Sequence, residues 1–220
     1  MMLIARGSRF FLIPAAYWRT VAACAALLLL LVGAFPCQAR QIPAVDGLEA
    51  LRKAFTGVTD FTADISQEKR LSVMKRAMTM NGTVRFRKPD QFYLELKAPY
   101  ASRMVLRDST IEQVMGTGGE RNRIVLPPEQ GLKRWFARLA TPITTLPEGL
   151  GVHADATGPV YTVTIAPHGK GQVKELVITF LEDGTIRKLV IMERNGDRAV
   201  MTFKKVRRNV GLTDRDFRLE

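Results

Sequence analysis

The chain has 220 residues, 33 of them basic and 21 acidic, for a formal charge of +12 at neutral pH, and it holds only two cysteines and two histidines. That inventory excludes a thiolate- or histidine-rich metal site, while the length suits a single domain able to enclose a core or a cavity. A surface this basic points to nucleic acid, anionic lipid or an acidic partner.

Arg6, Arg9 and Arg19 precede an uncharged apolar run from Val21 to Phe35, followed by Pro36 and Cys37-Gln38-Ala39. This is the layout of a secretory signal cleaved after Ala39. The run is shorter than the ~20 apolar residues of a spanning helix. Residues 1–39 are therefore read as a signal peptide and residues 40–220 as the exported domain. Both cysteines, Cys24 and Cys37, leave with the signal. The three arginines also leave, so 30 basic residues face 21 acidic ones and the charge falls to +9. Export to the periplasm removes nucleic acid as a partner. An anionic membrane surface or another protein is left, and a monomer is expected.

Asp46-Gly47-Leu48-Glu49 has the acid spacing of a capping box and predicts a helix start. Leu48, Leu51, Phe55 and Val58 then form one apolar stripe that ends at Gly57 and Thr59. From Phe61 the period becomes two. Phe61, Ala63 and Ile65 alternate with polar neighbours, as do Met74, Met78, Met80, Val84 and Phe86 before the turn at Lys88-Pro89-Asp90. Phe92, Leu94, Leu96 and Ala98 repeat the pattern, and Met104 with Leu106 continues it, so successive antiparallel strands are predicted.

Shorter strands are read at 110–115 and 121–126. After Pro127-Pro128, Leu132, Trp135, Phe136 and Leu139 share one helical face opposite Lys133, Arg134 and Arg138. The segment from Pro142 to Pro159 reads as loop. Strands near 160–166, 172–181, 185–193 and 197–207 follow, and Asp183-Gly184 and Asn195-Gly196 mark tight hairpin turns. About ten strands and two helices predict a mainly β fold. It is one antiparallel sheet curled into an incomplete barrel, with helices as a lid or plug.

His153 and His168 read as exposed loop residues without ligand partners, so no metal site and no cofactor are expected. Gly116-Thr117-Gly118-Gly119 reads as a turn, because no Lys-Ser or Lys-Thr follows it. Glu182 and Asp183 flank a hairpin and form no acid–base pair. No catalytic residue is assigned, and an enzyme is not expected. Seven methionines, Met74, Met78, Met80, Met104, Met115, Met192 and Met201, fall in predicted strands, where they serve either as core filling or as a soft lining for acyl chains. The Leu132–Leu139 helix is either a packing element or a lid whose basic face meets anionic lipid.

Phe61-Thr62-Ala63-Asp64-Ile65-Ser66-Gln67, the strand led by Gly82, and Arg85-Phe86-Arg87-Lys88-Pro89-Asp90-Gln91-Phe92 resemble the N-terminal half of LolA-type lipoprotein carriers. Val173-Lys174-Glu175-Leu176, Asp183-Gly184-Thr185-Ile186 and the final hairpin resemble that family's last strands. The resemblance implies an incomplete barrel whose hydrophobic cavity receives the acyl chains of a lipoprotein from an inner-membrane transporter and passes them to an outer-membrane acceptor. On that reading the cargo-binding residues are Phe61, Met78, Met80, Val84, Phe86, Phe92, Leu94, Leu96, Trp135 and Phe136.

Where the family ties its lid to the barrel with an arginine, this chain has Lys88, the latch candidate, which lacks the planar fork of a guanidinium. Arg85 or Arg87 is an alternative, but side chains adjacent on a strand point to opposite faces, so only one parity reaches inward. The competing reading is a periplasmic sensor or scaffold that uses the same fold to bind a protein partner.

Overall fold

The computed structural model describes residues 40–219 other than Lys75, 117–118, 128–130, 139 and 170, and omits the side chains of Trp135 and Arg138. The expected signal segment and the Trp135 side chain therefore lie outside the described residues.

Twelve strands form one antiparallel sheet, not ten. They are β1 Arg40–Ile42, β2 Asp60–Arg70, β3 Met78–Arg87, β4 Gln91–Leu96, β5 Ser102–Arg107, β6 Thr110–Met115, β7 Arg121–Val125, β8 Leu150–Thr157, β9 Val160–Pro167, β10 Val173–Leu181, β11 Ile186–Glu193 and β12 Arg198–Arg208. The order β1-β8-β9-β10-β11-β12-β2-β3-β4-β5-β6-β7 leaves β1 and β7 as unjoined edges, so the sheet is an incomplete barrel. Among the described residues two helices complete the fold, α1 Ala44–Thr56 and α2 Leu132–Arg138, with a 3-10 turn at Asp214–Phe217.

The two strands beyond the expected ten are β1 and β8. The second occupies ground read as loop and carries His153, which is therefore a strand residue, 3.1 Å from the Asp155 carboxylate. Met74 is displaced the other way: it lies in the β2–β3 connection and is 46% exposed, so it is not a strand methionine.

The helix α1 begins two residues before the expected cap, with Pro43 as its N-cap and no side-chain capping bond. Proline suits the start of a helix because the donor it lacks has no intrahelical partner there. Asp46 thus sits inside the first turn, where a negative charge meets the positive end of the helix dipole. Glu49 bonds the Arg52 guanidinium and accepts from the Ile143 amide at 3.0 Å, fastening the segment after α2 to α1.

Strand alternation sends successive side chains to opposite faces, and the two members of each cross-strand pair share one face. Leu48, Leu51 and Ala54 of α1 pack on the inner residues Ala154, Val163, Ile165 and Phe180. Each buried leucine stabilises this contact by roughly 1.5–3 kcal/mol. Contact is close because Gly47 faces Ala154, and a Cβ on Gly47 would collide with the alanine methyl. A second cluster joins Val58, Phe61, Ala63, Ile65, Val84, Phe86, Met201 and Phe203 across β2, β3 and β12.

On the outer face Tyr93 and Val105 meet Phe217, with Leu212 and Leu219 at the margin. The C-terminal segment is thereby folded back against the sheet. Buried Asp60 holds its start, accepting from the amides of Val210 at 2.7 Å and Gly211 at 3.2 Å.

Candidate functional site

The register assembles the inner face as cross-strand rows. Phe61, Phe86, Phe92, Leu106, Ile111 and Ile124 lie opposite one another in turn from β2 to β7. Ala63, Val84, Leu94 and Met104 form the next row, and Ile65, Gly82, Leu96, Ser102 and Met115 the one beyond. The eight strand residues singled out from the sequence, Phe61, Met78, Met80, Val84, Phe86, Phe92, Leu94 and Leu96, therefore share one parity and one face.

They differ in cover. Phe61, Val84 and Phe86 are buried in the second core cluster and Met80 is buried beside Gln67, while Phe92, Leu94 and Leu96 are half-buried at the border of the cluster. Met78 is also half-buried. Phe136 of α2 is part of the cover, its ring 5.2 Å from that of Phe86, which in turn is 5.3 Å from Phe61. Farther along, Met104, Leu106 and Ile111 are half-buried, and Met115 and Ile124 are exposed by 53% and 52%. These five also belong to the apolar inner surface. Their alternation was visible, but their strands are short, and only cross-strand register joins them to the Phe92–Leu96 face.

Lys88 leaves the end of β3 and reaches both helices. Its Nζ donates a hydrogen bond to the Phe55 carbonyl oxygen in the last turn of α1 and lies 5.8 Å from the centre of the Phe136 ring. A cation at a helix C-terminus meets the negative end of the dipole, here at a carbonyl that also accepts from the Val58 amide at 3.2 Å, and the aromatic face adds a cation–π attraction. Burial pushes the Lys88 pKa below the usual lysine range.

Arg85 and Arg87 point to the opposite face. Arg85 donates to the Asp216 carbonyl at 2.8 Å, and Arg87 donates to the Leu212 carbonyl and pairs with Asp214. Arg107 joins them through the Phe217 carbonyl at 2.7 Å. The three arginines therefore clamp the C-terminal segment, and neither Arg85 nor Arg87 takes the place considered for it at the lid.

Gln67 interrupts the apolar surface. It lies opposite Met80 and Met201, and its Oε1 is buried without a hydrogen-bond partner among the described residues. A buried amide oxygen left unpaired is costly, so this atom is a natural acceptor for a polar group brought by a ligand. Beside α1 an open groove of about 420 Å³ is lined by Asp46, Glu49, Lys53, Tyr161 and Glu182. Its acidic rim is chemically unlike the inner face. No set of three metal-ligating side chains comes together among the described residues.

An incomplete antiparallel barrel with an apolar inner face and two helices against it is a fold of a particular class. Residues 56–220 match the model of the outer membrane lipoprotein carrier protein family LolA, and the chain belongs to that family. A comparison with curated proteins by sequence gives no match.

Among solved structures, a LolA superfamily protein from Nitrosomonas europaea aligns with a TM-score of 0.43 at 7% identity, covering 81% of this chain and 98% of that one. The Mycobacterium tuberculosis lipoprotein LppX aligns with a TM-score of 0.36 at 10% identity, over 77% and 97% of the two chains. The Pseudomonas aeruginosa MucA/MucB complex aligns with a TM-score of 0.42 at 13% identity, over 80% of this chain and 61% of that one.

Proposed function

We propose that the protein is a periplasmic carrier that holds the acyl chains of lipoproteins or related lipids against its inner face and transfers them from the inner to the outer membrane. Residues 1–39 act as its export signal, cleaved near Ala39. An inner-membrane transporter is the donor and an outer-membrane protein the acceptor. The step is binding and release, with no covalent chemistry and no cofactor.

The observation that carries this reading is the largely apolar inner face, broken at Gln67, of which the β4–β7 part is only half covered. Acyl chains need dispersion contact without directional bonds, and each methylene removed from water stabilises the complex by about 0.8 kcal/mol. Phe92, Leu94 and Leu96 supply the first surface such a chain meets. Phe61, Met80, Val84 and Phe86 become available when α2 lifts Phe136 away. Lys88 is the latch that ties both helices to the sheet. A single hydrogen bond and one cation–π contact make a closure that opens at a cost of a few kcal/mol.

Native mass spectrometry of the protein purified from an envelope fraction without detergent tests the proposal. Co-purifying diacyl or triacyl species support the carrier and reveal its cargo class. A clean apo mass that also refuses added acyl ligands would reject it in favour of a protein-binding role.

A further inference from the structure

Antiparallel register places the β2–β3, β4–β5 and β6–β7 connections at one end of the sheet, opposite the end that carries Lys88. Large apolar side chains stand in water there. Val73 is 89% exposed and Met74 46% at the tip of the β2–β3 connection, Tyr100 is 46% exposed in the β4–β5 connection, and Met115 closes β6. Desolvating such side chains is favourable, yet nothing in the described chain covers them.

The same tip is basic. Lys69 and Arg70 lead into it and Arg76 leads out. Arg198 sits directly opposite Arg70 in the β12–β2 register, and both are exposed. Like charges in that position repel, and an anionic surface relieves the repulsion. The nearby Asp197 is engaged with the chain itself, accepting from the Ser72 amide at 2.8 Å and the Ser72 hydroxyl at 2.9 Å. Those two bonds hold the loop against the β11–β12 turn.

We infer that this tip docks the protein on anionic phospholipid bilayers, with Val73 and Met74 entering the acyl boundary and Arg70, Arg76 and Arg198 resting on the headgroups. A narrow apolar point ringed by cations is the pattern of interfacial membrane binding. A protein partner calls instead for a broad surface of several hundred Å² on each side. The inference does not depend on the carrier reading. If both hold, the membrane-facing end is also where the Leu96–Met115 row of the inner face terminates.

The test is co-sedimentation of the protein recovered from a periplasmic extract with phosphatidylcholine vesicles, with and without phosphatidylglycerol. Wild type is expected to partition onto the anionic vesicles. Val73→Asp with Met74→Asp should lower that partition at least about tenfold, since charge at the inserted positions is strongly disfavoured. Arg70→Glu with Arg198→Glu should erase the preference for phosphatidylglycerol.

Both pairs lie at exposed positions, and circular dichroism checks that the sheet is intact. As a second measurement, Val73→Trp should show a blue-shifted emission on anionic vesicles that brominated acyl chains quench. Unchanged partition of the Val73/Met74 variant, an unshifted Val73→Trp emission, or wild type that ignores anionic vesicles would each overturn the inference, the last leaving the tip to a protein. Acyl-probe binding by the Val73/Met74 variant, read separately, reports on the carrier role alone.

Discussion

Across β8–β10 the inner face is closed by α1, which brings Leu48, Leu51 and Ala54 down on Ala154, Val163, Ile165 and Phe180, four residues at most 1% exposed. Across β4–β7 the same face has the seven-residue α2 at its β3 border, and from Phe92 to Ile124 the apolar positions are half-buried or exposed. The strands on the two sides are alike in pattern. What separates them is the length of the helix above and the size of the side chains below. Small residues in β8 let a long helix approach, whereas the larger Phe92, Leu94, Met104 and Leu106 leave an apolar surface that a short helix cannot seal. One half is a core that stabilises the fold, and the other is an apolar surface that, under the proposed carrier role, receives the ligand.

The sharpest way to break this division is to place the same kind of charge in each half. Val163→Asp puts an unpaired carboxylate under α1 and should destabilise the protein by about 3 kcal/mol or more, read as a fall in denaturation midpoint. Leu94→Glu should leave the fold intact and reduce acyl-probe binding more than about tenfold, because its carboxylate reaches water when no ligand is present but not when one is. If Leu94→Glu binds as well as wild type, Leu94 is no cargo residue. Gly47→Leu tests the closed half more gently. The added side chain must push α1 away from β8, an overpacking cost of about 1–3 kcal/mol, and calorimetry should record it with acyl-probe affinity unchanged.

Much of this arrangement was legible in the chain. Period-two alternation grouped the bulky apolar residues of β2, β3 and β4 on one parity against polar neighbours, but which parity faces inward is set by the packing of the helices and not by the pattern itself. Gly184 and Gly196 take the positive φ angles, 85° and 91°, that their hairpin dipeptides imply. The strand β8 escaped notice for the reason that makes it useful. Its inner positions include Ala154 and Ala156, too small to stand out, and smallness is what admits α1. The three-residue β1 is too short to show a period. The contact of Lys88 with the Phe55 carbonyl spans 33 positions and depends on where α1 ends against β3, which no local pattern contains. The clamp of Arg85, Arg87 and Arg107 on the C-terminal segment is likewise a product of tertiary register.

Lys88 lies at the junction of the two halves, so its replacement should act on both weakly. Lys88→Ala removes the ammonium hydrogen bond to the Phe55 carbonyl, which keeps its bond from the Val58 amide, and should cost about 1 kcal/mol in stability. It should also speed release of a bound acyl probe in stopped-flow measurements. Lys88→Arg offers more donors to the same carbonyl region and should slow release. Unchanged release in both variants would remove Lys88 from the latch role.

The smallest effect expected is on the acid side, where the tether between α1 and the segment after α2 should loosen. The Arg52 hydrogen bonds, with the Ile143 amide behind them, lower the Glu49 pKa from 4.5 to about 2. A carboxylate held lower in the folded state than in the unfolded chain stabilises fully above the unfolded value and loses that contribution as pH falls through the folded one. The difference in melting temperature between wild type and Glu49→Gln should therefore be constant above pH 4.5 and shrink towards pH 2. Because Glu49 is partly solvated, that difference should be small at any pH. A gap that persists undiminished at pH 2 would mean that Glu49 holds α1 through its shape and not its charge, and would leave the β8–β10 half closed by packing alone.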